Sequence, residues 1–468
     1  MMSVVPAQQE LEEDSTPVVA PQEERRAWRR ETQTQVLHFA GPALSTVLAD
    51  PLMSVVDALC VGRFCSTLQL ASLGPTLAVF NFANYFFFFL NAATTVLITR
   101  ALACGNELSA INVLSNASLL AIVCGVLLAG VLITCAVPLI AATGCVPALI
   151  PTAASYLRVR AIGQPVVLLT MVLQASLLAQ QDAVTPLQVV AAACALNVVG
   201  DFVWVPRLGA VGAAWATLLA QLVALPLMLA VSRLRNRLPV RLHRPRAREV
   251  TQFFTTAAPL FGNEVGFSTC YCLIQSLSTQ FSVASAAAFQ ALWSPLQVLC
   301  FTTYPLKQAA QVFLPRIQAE SEKLIGGEPR SKEFLKVLAS LSSACGVGLA
   351  TIGVGFALKP SLFTSDVSLW PIITSFAPLV WPPLLLLGFA QVLEGVLLGT
   401  GDLSFLSVSQ VGNLLTSFAA VGLVKRFGMG VHGTWIVFFA FLCSRAVQAA
   451  LRVFVLRRPW LVDPECDV

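Results

Sequence analysis

Gln174-Ala175-Ser176-Leu177-Leu178-Ala179-Gln180-Gln181-Asp182 and Glu394-Gly395-Val396-Leu397-Leu398-Gly399-Thr400-Gly401-Asp402 are one phrase written twice, once in each half of the chain. The leading polar side chain and the closing aspartate keep the same spacing in both. Arg207-Leu208-Gly209-Ala210-Val211-Gly212 is echoed by Arg426-Phe427-Gly428-Met429-Gly430-Val431, and Gly41-Pro42 by Ala258-Pro259. Chance likeness between apolar helices would repeat Leu and Val; here the polar punctuation repeats, in order. A long repeat in a very apolar chain predicts two membrane bundles related by a pseudo-two-fold axis.

Composition agrees. Hydrophobic residues make up 56% of the 468 and charged residues 11%, the second figure under half of what a soluble domain carries. Twelve stretches reach the length needed to cross a bilayer core of roughly 30 Å: 37–59, 72–99, 115–137, 156–179, 187–206, 211–231, 252–275, 283–305, 334–357, 373–398, 404–424 and 431–455. The expected fold is all-α and polytopic, with twelve transmembrane helices in two pseudo-symmetric six-helix lobes. The domains expected are a disordered tail at 1–35, an N-lobe at 36–231, a basic linker at 232–251, a C-lobe at 252–456 and a second tail at 457–468.

Arginine and lysine set the expected orientation. The link after the sixth stretch carries Arg233, Arg235, Arg237, Arg241, Arg244, Arg246 and Arg248, and the link after the eighth carries Lys307, Arg316, Lys323, Arg330, Lys332 and Lys336. Links on the opposite side hold few. The positive-inside rule then places both termini in the cytoplasm, and both halves enter the membrane in the same direction. Topology accounts for the basic link without a nucleic-acid partner. The cysteines show no metal-type spacing, and no Walker motif or catalytic triad is present. No cofactor, metal or enzyme activity is expected, so energy must come from an ion gradient.

Ionisable groups at membrane depth are costly and mark function. Asp50 and Asp57 in the first stretch lie nearly two turns apart on one helix face. Asn197 and Asp201 in the fifth share a face at i and i+4. These four are the candidate cation-coupling residues, against the plainer reading that they glue helices together. The C-terminal half does not repeat the acids. It has Glu264 and Glu394, with Arg445 mid-span in the last stretch; Glu394 stands where the first half has neutral Gln174. Glu394, Arg445, Glu264 and Gln174 are candidates for substrate contact or for the lobe interface, with a Glu394–Arg445 pair favoured. Arg452 is expected to snorkel to headgroups, Phe86-Phe87-Phe88-Phe89 to face lipid, and Asp182 and Asp402 to cap short turns.

Two runs carry a family resemblance. One is Ala49-Asp50-Pro51-Leu52-Met53-Ser54-Val55-Val56-Asp57-Ala58-Leu59-Cys60-Val61-Gly62 with Leu70-Ala71-Ser72-Leu73-Gly74. The other is Tyr156-Leu157-Arg158-Val159-Arg160-Ala161-Ile162-Gly163-Gln164-Pro165, leading to Asp182-Ala183-Val184-Thr185-Pro186-Leu187 and on to Asn197 and Asp201. Both resemble the multidrug and toxic compound extrusion (MATE) family, in the branch of plant citrate-type and bacterial damage-inducible transporters. The resemblance implies alternating access and antiport against protons or sodium, with Asp57, Asn197 and Asp201 handling the cation. Where other branches carry a seventh-span glutamate this chain has Phe267, and Glu264 comes about one turn early. Plant relatives carry an arginine between the matches to Gln174 and Asp182; it is missing here. The function expected is a secondary antiporter that exports small organic solutes, anion or cation, in exchange for H+ or Na+. It would work as a monomer in membrane lipid. The alternative is a lipid or glycolipid flippase of the same superfamily. That would need a cationic central cavity, whereas the sequence places few cations at depth beyond Arg445.

Overall fold

The computed structural model describes residues 21–457 apart from 144, 146, 236, 241–246, 279, 282, 320–323, 326–327 and 364–366. Among the described residues the regular structure is helical except for a two-residue strand pair, Leu324–Ile325 with Glu328–Pro329. Helices dominate because each closes its own backbone hydrogen bonds, which a bilayer cannot satisfy.

The N-lobe contains α1 (Pro21–Phe64), α2 (Thr67–Tyr85) and α3 (Phe88–Ala103), which together make the broken second span, α4 (Glu107–Thr134) and short α5 (Ala136–Ala142). It continues with α6 (Ile150–Ile162) and α7 (Gln164–Ala179), then α8 (Val184–Leu208) and α9 (Ala210–Leu234). The C-lobe contains α10 (Ala247–Ser278), α11 (Val283–Cys300) and α12 (Tyr304–Ala319), which form the broken eighth span, and α13 (Arg330–Leu358). Short α14 (Trp370–Ser375) leads into α15 (Ala377–Gly399), followed by α16 (Leu403–Arg426) and α17 (His432–Ala450). The last helix runs on as π-helix Leu451–Arg457. Among the described residues eight spans are long and apolar enough to cross a membrane, or nine with the α6–α7 pair, bent by 51° at Gly163. The first, seventh and eighth spans, α1, α10 and α11–α12, complete the twelve.

Several expectations change. The tail at 1–35 is not all tail: residues 21–35 are the opening turns of α1, continuous with the first span. Arg29 of that extension pairs with buried Glu333 at the start of α13. Residues 1–20, part of the basic link (236 and 241–246) and 458–468 lie outside the described residues. The eighth span does not end at 305. It continues through α12 to Ala319, so Lys307 and Arg316 belong to a helix and not to a link. Gly346 lets α13 cross α15 closely: a Cβ there would lie 2.5 Å from the Leu385 carbonyl oxygen.

The repeat is reproduced in backbone detail. After α7, Gln181 (φ 62°) takes the left-handed position, its N–H bonding Leu178 O while Asp182 N bonds Leu177 O. After α15, Gly401 (φ 72°) does the same, with Gly401 N to Leu398 O and Asp402 N to Leu397 O. Both helices end in the same Schellman-type turn.

Apolar packing shows how the lobes meet. The largest core joins them at the end that bears the basic link: Phe39, Leu90 and Leu97 of the N-lobe pack in one cluster with Leu306, Leu314 and Val396 of the C-lobe. At the other end the described clusters stay within one lobe, around Val61, Leu73 and Val205 in the first and Phe289, Trp293 and Trp435 in the second. The lobes thus share a core at the basic face, and at the opposite end the described cores belong to one lobe each. The four-phenylalanine run sits near this junction. Phe86 and Phe89 pack on Phe261 of α10, and Phe88 on Tyr304 of α12. These rings therefore contact the partner lobe, in place of the lipid-facing role expected.

Candidate functional site

Two polar clusters sit inside the apolar bundle, one per lobe. In the N-lobe, α1 brings Asp57, α8 brings Asn197 and Asp201, α6 brings Tyr156 and α9 brings Thr217. Asp57, Asn197 and Asp201 are all buried. Tyr156 Oη donates to Asp57 Oδ2 at 3.4 Å, Thr217 Oγ1 shares its one proton between that oxygen at 3.3 Å and the Ala213 carbonyl at 3.0 Å, and Asn197 Nδ2 donates to Thr217 Oγ1 at 3.2 Å. Asp201 stands within side-chain hydrogen-bonding reach of Asp57. Asp57 Oδ1, Asn197 Oδ1 and both carboxyl oxygens of Asp201 are nevertheless buried without a donor. Two facing carboxyls satisfy each other only with a proton, or another cation, between them. Arg160, one turn after Tyr156, is buried with its guanidinium over the Phe80 ring at 4.5 Å. The sequence placed Arg160 at a span start; the structure adds it to the depth of the N-lobe. Asp50 lies on α1, but its side chain is outside the described ones.

In the C-lobe, Glu394 of α15 is the hub. Its Oε1 accepts from Lys307 Nζ at 2.7 Å and from Asn263 Nδ2 at 3.3 Å, and its Oε2 accepts from Arg445 Nη2. An amide chain extends from it: Gln410 Nε2 donates to Asn263 Oδ1, Asn413 Nδ2 to Gln410 Oε1, and Gln448 Nε2 to Asn413 Oδ1. Glu264, half-buried on α10, stands within electrostatic reach of Lys307, Glu394 and Arg445. The Arg445 guanidinium lies against the faces of Phe267 and Phe441, 4.9 and 5.5 Å from the ring centroids, a placement that favours a cation. The structure therefore joins Glu394, Arg445 and Glu264 in one cluster. Gln174, at the matched place on α7, is part-buried and belongs to no such cluster. Lys307 changes the count of cations at depth. Two cations meet two carboxyls here, so the C-lobe interior is charge-matched.

Sequence reasoning missed Tyr156, Thr217 and Lys307. The first two are neutral and raise no alarm in an apolar span. Lys307 follows Pro305 and looks like the start of a link, although α12 is buried nearly all round, between α1, α3 and α15. Arg452 does not snorkel as expected; it pairs with Asp402. Asp182 closes the turn after α7. It accepts Thr185 N at 2.9 Å, Thr185 Oγ1 at 2.7 Å and Arg237 Nε at 2.9 Å. Burial pushes its carboxyl up, but the Thr185 hydrogen bonds and the Arg237 charge outweigh burial and hold it below the usual aspartate value.

Two six-helix lobes meeting at one face, each with a buried charged cluster, are the architecture of two-lobe membrane transporters. Comparison with known proteins makes this specific. The family profile described as MatE matches residues 42–203. The chain is 27% identical to Protein DETOXIFICATION 47, chloroplastic, of Arabidopsis thaliana, over 89% of this chain and 77% of that protein. It is 28% identical to Protein DETOXIFICATION 44, chloroplastic, of the same plant, over 91% and 83%, and 25% identical to Protein DETOXIFICATION 43, over 92% of each. Its fold matches a MATE transporter in the bent conformation (TM-score 0.78, 16% identity, 94% of this chain and 99% of that one). It also matches an outward-facing multidrug resistance MATE transporter (TM-score 0.77, 17% identity, 91% and 97%). Along most of its length the chain is thus similar to MATE-type transporters, and it shares their fold.

Proposed function

We propose that this protein is a secondary antiporter that exports small organic solutes in exchange for protons, with the coupling proton held between Asp57 and Asp201. The observation that carries this reading is the set of unpartnered carboxyl oxygens in the N-lobe. Asp57 Oδ2 receives two hydroxyl donors and is supplied to carry charge; Asp201 receives none and is left to carry the proton. Loss of that proton leaves two buried carboxylates face to face, so the site and the lobe packing around it must change together. That linkage is what antiport requires. Asn197 holds Thr217 in place. The C-lobe cluster around Glu394, Lys307 and Arg445 serves as a rigid polar wall at the lobe cleft, against which an anionic or cationic solute is sorted. The basic face is cytoplasmic by the positive-inside rule, so the end without a shared core faces away from the cytoplasm. A flippase draws no support from a charge-matched C-lobe.

The test is flux of organic solutes in proteoliposomes. Asp57→Asn and Asp201→Asn are each expected to abolish gradient-driven transport while leaving expression and the elution volume in detergent unchanged. Wild-type rates in both variants would overturn the proposal.

A further inference from the structure

We propose that Arg100 and Arg316 are reciprocal clasps that hold the basic face of the transporter shut, each repeat lending one arginine to a helix end of the other. Arg316, near the end of α12 in the C-lobe, donates from Nη2 to the Ala179 carbonyl at 2.7 Å, on the last residue of α7 in the N-lobe. Arg100, near the end of α3 in the N-lobe, lays its guanidinium against Gly401, just past the end of α15 in the C-lobe, in the space a Cβ there would fill. The donors occupy matched places: Thr95-Val96-Leu97-Ile98-Thr99-Arg100 closes the second span, and Gln311-Val312-Phe313-Leu314-Pro315-Arg316 closes the eighth. The receivers are matched too, being the two Schellman-type ends of the repeated phrase.

The physics suits the arrangement. A helix C-terminus presents carbonyls without intrahelical partners and the negative end of the helix dipole. A guanidinium satisfies both, and two reciprocal contacts resist separation better than one because both must part before the lobes can. Gly401 is required twice over, by its positive φ and by the space Arg100 takes. In the first repeat Gln181 fills the same turn, and there Arg316 reaches the carbonyl of Ala179 instead. Around the clasps the lobes share an apolar core and the Gln311 to Ala92 carbonyl contact. The arginines therefore latch an interface that is already packed, and their release is a step in opening the basic face.

The inference rests on the alternating-access reading, but its test needs no substrate, so the two can fail separately. Hydrogen exchange of the purified full chain in nanodiscs is followed at Gln180–Asp182 and at Thr400–Asp402. Were the arginines only local caps, each single variant would loosen its own helix end alone. Clasps that hold two lobes together predict otherwise: Arg316→Gln should speed exchange at Thr400–Asp402, which it does not touch, and Arg100→Gln at Gln180–Asp182, each by about tenfold where opening is sub-global. Gly401→Ala, which displaces Arg100 and keeps both charges, should act like Arg100→Gln and serves if the arginine variants fold poorly. Changes confined to the touched end, or no change at either, would overturn the proposal.

Discussion

Glu394 shows what one carboxylate does when two cations depend on it. Removing it as Glu394→Gln leaves Lys307 and Arg445 buried with Glu264 as the remaining acid nearby, and uncompensated buried charge costs about 3–5 kcal/mol. Removing Arg445 is milder, because Lys307 still holds Glu394 at 2.7 Å. Thermal unfolding in detergent should therefore rank wild type above Arg445→Gln and both above Glu394→Gln. The double variant should regain part of the loss, since one stranded cation has gone with the acid. A double variant no more stable than Glu394→Gln would count against a charge-matched cluster. The members of these sites that were legible in the sequence, Asp57, Asn197, Asp201, Glu394 and Arg445, were legible for one reason: a charged or amide group in a hydrocarbon-length run stands out. Tyr156 and Thr217 act through hydroxyls, which such runs tolerate. Their role came from three-dimensional convergence on Asp57, which no spacing along the chain encodes.

At the scale of elements, helix existence followed from apolar run length, but helix breaks and extensions did not. The second and eighth spans are each two helices, and α1 begins well before its apolar stretch because its polar opening turns dock on α13 through Arg29 and Glu333. Tertiary contact, not composition, extends it. Close crossings were equally hidden, since Gly346 reads as a loose motif until α15 is seen against it. Gly346→Val should force α13 from the Leu385 carbonyl and lower stability by about 1–3 kcal/mol, the usual effect of overpacking, seen as a lower melting temperature with the helical content retained. The turn after α7 offers a pH test. The folded Asp182 carboxyl sits below the ordinary value of 3.8. A depressed acid contributes stability that is present above its unfolded value and is lost as pH falls through its folded one. The stability gap between wild type and Asp182→Asn should accordingly hold from neutral pH down to about 3.8 and close only below it. A gap already closed at mildly acidic pH would mean that Thr185 and Arg237 do not hold the carboxylate.

For the whole molecule, the repeat in the sequence and the repeat in space agree, yet the lobes have diverged in what they bury. In the N-lobe cluster one oxygen of Asp57 and both of Asp201 lack a donor, while Glu394 of the C-lobe has three donors. On the proposed reading one lobe changes its protonation and the other keeps its charge, so coupling should run through the first. That division also bears on the ion. Sodium is a hard cation that takes several converging oxygens, and the N-lobe offers four buried ones, on Asp57, Asn197 and Asp201. Sodium would need those oxygens to converge as a cage, whereas one proton joins the facing Asp57 and Asp201 carboxyls in a single hydrogen bond. A pH gradient alone should therefore drive solute flux in proteoliposomes at equal sodium on both sides, and a sodium gradient at symmetric pH should not. Flux driven by sodium in the wild type and absent with a pH gradient would reverse the assignment and make the four oxygens a metal site.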